Sequence, residues 1–219
     1  MGEQAHGPEA ALPSSGGDRR RVVVLAGPSG SGKSRLAARL NAAHGWPIFR
    51  LDDFYRDEDD PAMPRQAELG IVDWDHPDSW DGERAVAALC ALVDTGSTPT
   101  PVYDISRSRA VGTREVVAVP TDLILAEGIF AAEVVDRLRE CGVLHSAWCI
   151  HHRPEVTFVR RLLRDLRERR KPPLVLLRRG LSLMRDEPGI VRRQTDLGAV
   201  PARPRDVERD LASAASGVG

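Results

Sequence analysis

Lysine is almost absent from this chain. Of its 31 lysines and arginines, only Lys33 and Lys171 are lysines. Aromatic residues are scarce too, at 5 % of 219 residues, and they form no arginine–aromatic pattern suited to stacking nucleic-acid bases. An excess of one charge is missing: the net charge of −1 excludes a global attraction to nucleic acid or to an anionic membrane. No apolar run approaches the length of a membrane span, and the N-terminus has no signal-like apolar core. Cysteine is limited to Cys90, Cys141 and Cys149, far apart in sequence and without C-x-x-C or metal-ligand spacing. They read as small buried hydrophobes in a reducing compartment. The expectation is a cytoplasmic protein with no nucleic-acid or membrane partner.

One of the two lysines sits in the most informative segment. Gly27-Pro28-Ser29-Gly30-Ser31-Gly32-Lys33-Ser34 fits G-x-x-x-x-G-K-[ST], the phosphate-binding P-loop. Arg21–Ala26 before it reads as a buried strand, and Ser34–Ala43 after it as a helix. Chemistry requires that order. Glycines at 27, 30 and 32 let the backbone curl, so that its N–H groups, including those of Ser29 and Ser31, face phosphate oxygens. The helix N-terminus adds partial positive charge, Lys33 reaches the β- and γ-phosphates, and the Ser34 hydroxyl takes a place on Mg²⁺. A chain that otherwise uses arginine keeps lysine where a compact, flexible cation is needed.

Strands and helices alternate along the rest of the chain. Residues 1–18 are rich in Gly, Pro, Ser and Ala without periodicity and predict a disordered tail. Pro47–Leu51 is a short apolar run ending at Asp52, and the long polar stretch Asp53–Trp80 is too long for an ordinary connection. Asp81 caps a helix through Val93, and Thr98–Tyr103 is extended. Arg114–Val119 and Asp122–Ala126 read as strands, Ile129–Glu140 as a helix and Val143–Ile150 as the last core strand. Pro154 opens a helix whose buried stripe is Val156, Val159, Leu162, Leu163 and Leu166, and Pro172-Pro173 interrupts it. Continuous apolar strands between helices predict a three-layer α/β/α P-loop fold with a mostly parallel sheet. It spans 19–211 as one domain, with an arginine-rich helical lid at about 164–180 and a flexible end at 212–219.

Ligands in such folds bind beyond the carboxyl ends of the strands. That rule picks out the P-loop, Asp52 and Glu127. Phosphoryl transfer to an alcohol needs a proton acceptor, a Mg²⁺ site and cations over the migrating group. Asp52 and Glu127 suit the first two tasks. Arg160, Arg161, Arg164 and Arg167 recur at three- and four-residue spacing and suit the third. Neither an N-K-x-D segment, nor D-x-x-G after a strand, nor an L-S-G-G-Q-like run is present, which argues against G-protein and ABC-type readings.

Several segments together resemble the uridine kinase family, which includes phosphoribulokinase-like and pantothenate kinase-like enzymes. They are GPSGSGKS (27–34), LDDFYR (51–56), DWDHPDSWD (73–81), PVYD (101–104), LILAEGIF (123–130) and RRLLRDLRER (160–169). The resemblance implies ATP- or GTP-dependent transfer of the γ-phosphoryl group to the 5′-hydroxyl of uridine or cytidine, and assembly into homo-oligomers in many members. It also implies roles. Asp52 resembles the catalytic base and a contributor to the metal site, with Ser34 and Glu127 at Mg²⁺-associated positions. Asp75 resembles the residue that grips ribose hydroxyls, and Tyr103 the aromatic beside the base. Arg161, Arg164 and Arg169 resemble lid arginines that meet phosphates and nucleoside.

The chain departs from the pattern where the acceptor is read. A His that follows Y-D in the family is missing, and Arg107 or Ser108 takes its place. The lid E-R-G-R becomes Glu168-Arg169-Arg170-Lys171, and a Gln further along the lid helix has no counterpart. His151 and His152 replace the end of V-D-T-D and read as loop residues, because no third metal ligand accompanies them. Losing polar readers relaxes or redirects specificity. Three functions stand open: a pyrimidine nucleoside kinase; a kinase for another ribosyl, polyol or pantothenate-like acceptor, with Arg107 and Arg179 matching a negative charge; and a nucleotide-binding regulatory protein with little turnover.

Overall fold

A computed structural model describes residues 19–67, 70–152 and 187–216. Its centre is a five-stranded sheet ordered β2-β5-β1-β6-β7, with every neighbouring pair parallel. The strands are β1 (Arg21–Ala26), β2 (Ile48–Arg50), β5 (Leu123–Glu127), β6 (Leu144–Ile150) and β7 (Val200–Ala202). Along the chain, between β2 and β5, come β3 (Ser97–Asp104) and β4 (Arg109–Val117), paired antiparallel as a separate two-stranded hairpin. The helices are α1 (Lys33–His44), α2 (Gly82–Thr95), α3 (Val135–Glu140), α4 (helical residues 187–196) and α5 (Pro204–Ser216).

The alternation of β1 sets the layers. Its side chains point to opposite faces in turn. Val22, Val24 and Ala26 join Leu89 and Leu92 of α2 and Leu138 of α3 in one core. Val23 and Leu25 join Leu36 and Leu40 of α1 and Val207 and Leu211 of α5 in the other. Five of the six β1 residues are buried, as a strand covered on both faces requires. Among the described residues no helix is long and apolar enough to cross a membrane.

The parallel sheet and helical layers match the sequence expectation, with local differences. The run 114–119 is the second half of a hairpin strand rather than a separate sheet strand. Its residues are mostly exposed, and Val116 is the one buried position of β4. The stretch 129–140 begins as a 3₁₀ turn, Ala131–Val134, before α3. β7 is only three residues long, and α5 buries Val207 and Leu211, four residues apart on one face. Residues 212–216, read from sequence as a flexible end, continue α5. The long 53–80 segment is folded by 3₁₀ turns and the isolated bridges Tyr55↔Trp80 and Arg65↔Val72. The tail at 1–18, the helix opened by Pro154 and the whole lid at 164–180 lie outside the described residues, as do residues 217–219.

The cysteines also differ from the sequence reading. Cys149 is buried as expected, but Cys90 is half-buried and Cys141 is exposed. Distant in sequence, Cys90 and Cys141 meet with their sulfurs 4.0 Å apart.

Candidate active site

The carboxyl ends of β1, β2 and β5 deliver the P-loop, Asp52 and Glu127 to one edge of the sheet. The P-loop turns at once after β1. Gly27 has φ +139°, and a Cβ there would lie 2.3 Å from the Ile150 carbonyl oxygen of β6, so no other residue fits. Gly32 forms the N-cap of α1 with no side-chain cap, and the first turn holds no acidic residue. The first N–H groups of any helix lack acceptors within the helix itself, which is the condition for anion binding. The buried Lys33 Nζ donates to the carbonyls of Gly27 at 2.8 Å and Pro28 at 3.1 Å, folded over its own loop. Ser31 Oγ is fully buried and has no hydrogen-bond partner among the described residues. An orphaned hydroxyl, an uncapped helix start and a cation lying across the loop together fit a polyphosphate.

Ser34 Oγ donates to Glu127 Oε2 at 2.9 Å, which joins the first turn of α1 to the end of β5. Asp52 stands on the 3₁₀ turn Leu51–Phe54 directly after β2, and its Oδ1 accepts from the Ile129 N–H at 2.8 Å. Gly128 permits that approach: a Cβ there would meet Asp52 Oδ1 at 2.7 Å and Leu51 Cβ at 2.9 Å. Burial pushes the Asp52 carboxyl up to about 6, against the opposing pull of Lys33 and the Ile129 N–H, while Glu127 pushes further upward. Asp52, Glu127 and Lys33 therefore share one electrostatic neighbourhood. Among the described residues no group of three His, Cys, Asp or Glu converges to hold a metal. Two carboxylates and a hydroxyl nevertheless suit Mg²⁺, which takes few protein ligands and completes its shell with water and phosphate oxygens.

Facing Asp52 is an aromatic cluster drawn from the few aromatics available. Tyr55 lies 5.8 Å from Tyr103, 5.9 Å from Trp74 and 6.0 Å from Phe130, centre to centre. Burial is the main cause that raises the Tyr55 phenol, and the negative charges of Asp52 and Asp75 add to it. Tyr55 thus bridges Asp52 and Asp75, two positions that the sequence could only name separately. Tyr103 donates its hydroxyl to the Arg56 carbonyl at 3.1 Å, and burial raises that phenol to about 12.

The hairpin that carries Tyr103 is clamped to residues 53–60. Arg114 Nη2 pairs with Asp53 Oδ2 at 2.9 Å, Arg109 with Asp59 at 3.0 Å, and Asp57 Oδ1 accepts from the Ala110 N–H at 2.8 Å. Burial raises the Asp53 carboxyl even with Arg114 opposing it. Arg107 stands apart from the aromatic cluster. It pairs with Asp104 at 3.5 Å on the hairpin turn. It lines a cavity of about 630 Å³ with Glu58, Asp59, Arg65, Ser108 and Arg109. Arg161, Arg164 and Arg169 lie outside the described residues.

Sequence reading missed Tyr55, Trp74, Phe130, Gly128 and Gln194. The first four lie inside quoted motifs, and that membership was the signal available. Gln194 had none. It sits on α4, 5 % exposed, and its Nε2 donates to the Ile129 carbonyl at 3.0 Å while its Oε1 accepts from Cys149 Sγ at 3.2 Å. Burial pushes the Cys149 thiol up to about 11, so it remains a neutral donor.

Fold and loop together define a P-loop phosphotransferase with a parallel α/β/α core. Comparison with known proteins narrows that class: residues 22–173 match the phosphoribulokinase / uridine kinase family, and the chain belongs to it. A uridine kinase of Deinococcus deserti is 30 % identical over 167 residues, covering 75 % of this chain and 77 % of that one. A uridine kinase of Clostridium botulinum is 31 % identical over 156 residues, covering 69 % and 72 %. Among solved structures, a Silicibacter sp. TM1040 protein provisionally described as a fructose transport system kinase superposes with a TM-score of 0.61. It is 20 % identical, and the match covers 89 % of this chain and 91 % of that one, a likeness of fold.

Proposed function

We propose that the protein transfers the γ-phosphoryl group of ATP to the 5′-hydroxyl of a pyrimidine nucleoside, uridine or cytidine. One observation carries this reading. A buried carboxyl, Asp52, stands between the electrostatic reach of Lys33 and an aromatic wall of Tyr55, Trp74, Tyr103 and Phe130. On this reading Asp52 is the proton acceptor between a phosphate cradle and a surface suited to a flat base. The uridine kinases among its relatives support the same acceptor.

Residues of the chain divide the work. Backbone N–H groups of the loop and Lys33 hold the phosphates and gather negative charge as the transferred group shifts. Asp52 accepts the proton of the attacking hydroxyl on a carboxylate oxygen, and the Ile129 N–H on Oδ1 fixes the direction of that carboxylate. Asp75 receives ribose hydroxyls, and the aromatic wall excludes water from the acceptor side. Ser34, Glu127 and Asp52 would hold Mg²⁺, which supplies charge neutralisation between the phosphates. Arg161, Arg164 and Arg169 complete the proposal as cations closing over the site.

A second reading is favoured by one observation: Arg107, with Arg65 and Arg109, lines a sizeable cavity at the hairpin turn. A ribosyl or polyol acceptor bearing negative charge would use those cations. ADP release from Mg-ATP tests both. Turnover with uridine or cytidine that vanishes in Asp52→Asn supports the first reading. Silence with all nucleosides, together with turnover on a sugar phosphate or pantothenate, replaces it by the second.

A further inference from the structure

Cys90 and Cys141 form a dithiol that takes no part in the phosphotransfer site. Cys90 lies on α2, with its body against the core beneath the sheet. Cys141 is the C-cap residue of α3, its N–H bonded to the Arg137 and Arg139 carbonyls, and it is exposed. The Cys90 thiol donates to the Cys141 sulfur at 4.0 Å. Both sulfurs therefore face each other across the α2–α3 contact. A closure of about 2 Å would bring them to disulfide bonding distance.

Position separates this pair from the chemistry. Cys141 precedes β6 by a short turn, and Val143 bonds to Val22 at the start of β1. The pair thus lies toward the amino ends of the parallel strands, whereas the P-loop, Asp52 and Glu127 lie at the carboxyl ends. The third cysteine, Cys149, sits near the carboxyl end of β6, buried and bonded to Gln194.

We propose that Cys90–Cys141 is a site of oxidative cross-linking by thiol–disulfide exchange with a low-molecular-weight disulfide. The exposed Cys141 thiolate attacks one sulfur of the reagent. The reagent's S–S bond breaks, one small thiolate leaves, and a mixed disulfide forms on Cys141. Cys90 Sγ then attacks the Cys141 sulfur and expels the second small thiolate. Two protein thiols are oxidised, one reagent disulfide is reduced to two thiols, and the two protons lost by the cysteines end on them. Burial and the adjoining sulfur hold the Cys90 thiol up, so the exposed Cys141 takes the first step and Cys90 loses its proton only in the second, intramolecular one. The new bond closes a loop across 51 residues of sequence, including the whole β3–β4 hairpin and β5. Such a link restricts the unfolded chain far more than the folded one.

The test treats the full folded chain with oxidised glutathione, removes the reagent, denatures the protein and alkylates its free thiols. The expected result is alkylation at one cysteine, Cys149, no added glutathione mass, and one peptide pair joined through Cys90 and Cys141. Melting temperature should rise by on the order of 10 °C. Nucleotide affinity, read by titration, should stay within about twofold, because the link lies at the far end of the sheet. In Cys141→Ser the rise in melting temperature should vanish while nucleotide affinity is retained. Alkylation at three cysteines, or a stable glutathione adduct on Cys141 without the joined peptides, overturns the proposal. So does a joined pair that includes Cys149.

Discussion

The two halves of the active site are held in different ways. On the phosphate side, the positions are set by backbone and by close packing. Gly27 lies against the Ile150 carbonyl, Lys33 folds onto its own loop, and Ser34 reaches Glu127 across adjacent elements. On the acceptor side, Tyr103 arrives on a hairpin that does not belong to the main sheet. Side-chain contacts from Arg109, Arg114, Asp53 and Asp57 hold it, several of them exposed. Under the proposed function, the difference marks the hairpin as the place where the acceptor can change. Substitution in the hairpin can alter the pocket without disturbing the phosphate cradle.

Removing the cation of the cradle should have the largest effect. Lys33→Ala is expected to lower kcat/KM by about 10³-fold and to weaken nucleotide binding together with rate, because Lys33 meets phosphate in ground and transition states. Nucleotide titration and ADP release check this. Binding at wild-type strength would show that the loop backbone suffices.

Asp52→Asn comes next, with a loss of about 10²- to 10⁴-fold in kcat and little change in nucleotide affinity. Near-wild-type turnover would remove Asp52 from the role of base. The pH profile sharpens the point. The carboxyl must be ionised to accept a proton and is held up at about 6 without metal; Mg²⁺ held beside it favours the ionised form, so kcat should rise with pH at or below that value. Stability has the opposite sign. A carboxyl raised from 3.8 binds its proton more tightly when folded, so its contribution to stability is present below about pH 4 and is lost as pH rises through about 6. At pH 8 the nucleotide-free Asn variant should therefore be more stable than the parent, by up to about 3 kcal/mol. Chemical denaturation at pH 4 and pH 8 reads the difference, and an Asn variant less stable at both pH values would contradict the burial argument.

Effects on the acceptor side should be smaller and selective. Tyr103→Ala is expected to raise the acceptor KM about tenfold with ATP affinity unchanged, as read by steady-state kinetics. An equal loss for both substrates would place Tyr103 outside the acceptor pocket. Arg114→Ala strands the half-buried Asp53 and should cost about 1–3 kcal/mol in denaturation experiments. Arg109→Ala removes a more exposed pair and should cost about 0.5 kcal/mol or less. If the last two variants were equally stable, burial would not be what distinguishes the clamp's contacts.

The same division runs through what could be read before folding. The P-loop was legible because its chemistry is local: eight consecutive residues, a buried strand before them and a helix after. Asp52 and Glu127 were legible because parallel strands end where ligands bind. The hairpin was half legible. Its first strand was recognised as extended, but the second was assigned too short, since exposed residues such as Val111 and Thr113 give no alternating apolar signal. Gln194 was not legible at all, because nothing in its neighbourhood announces a buried polar contact with Ile129.

Sequence by itself determined the phosphate cradle, the parallel core and the carboxylates that border them, since each follows from steric demands or periodicity within a short segment. Only the tertiary structure decided which distant residues meet. It gathered Tyr55, Trp74, Tyr103 and Phe130 beside Asp52, ran Gln194 from α4 to Ile129, and set Cys90 against Cys141. Those contacts span tens of residues, and their energies depend on burial and distance that arise only when the layers close around the sheet.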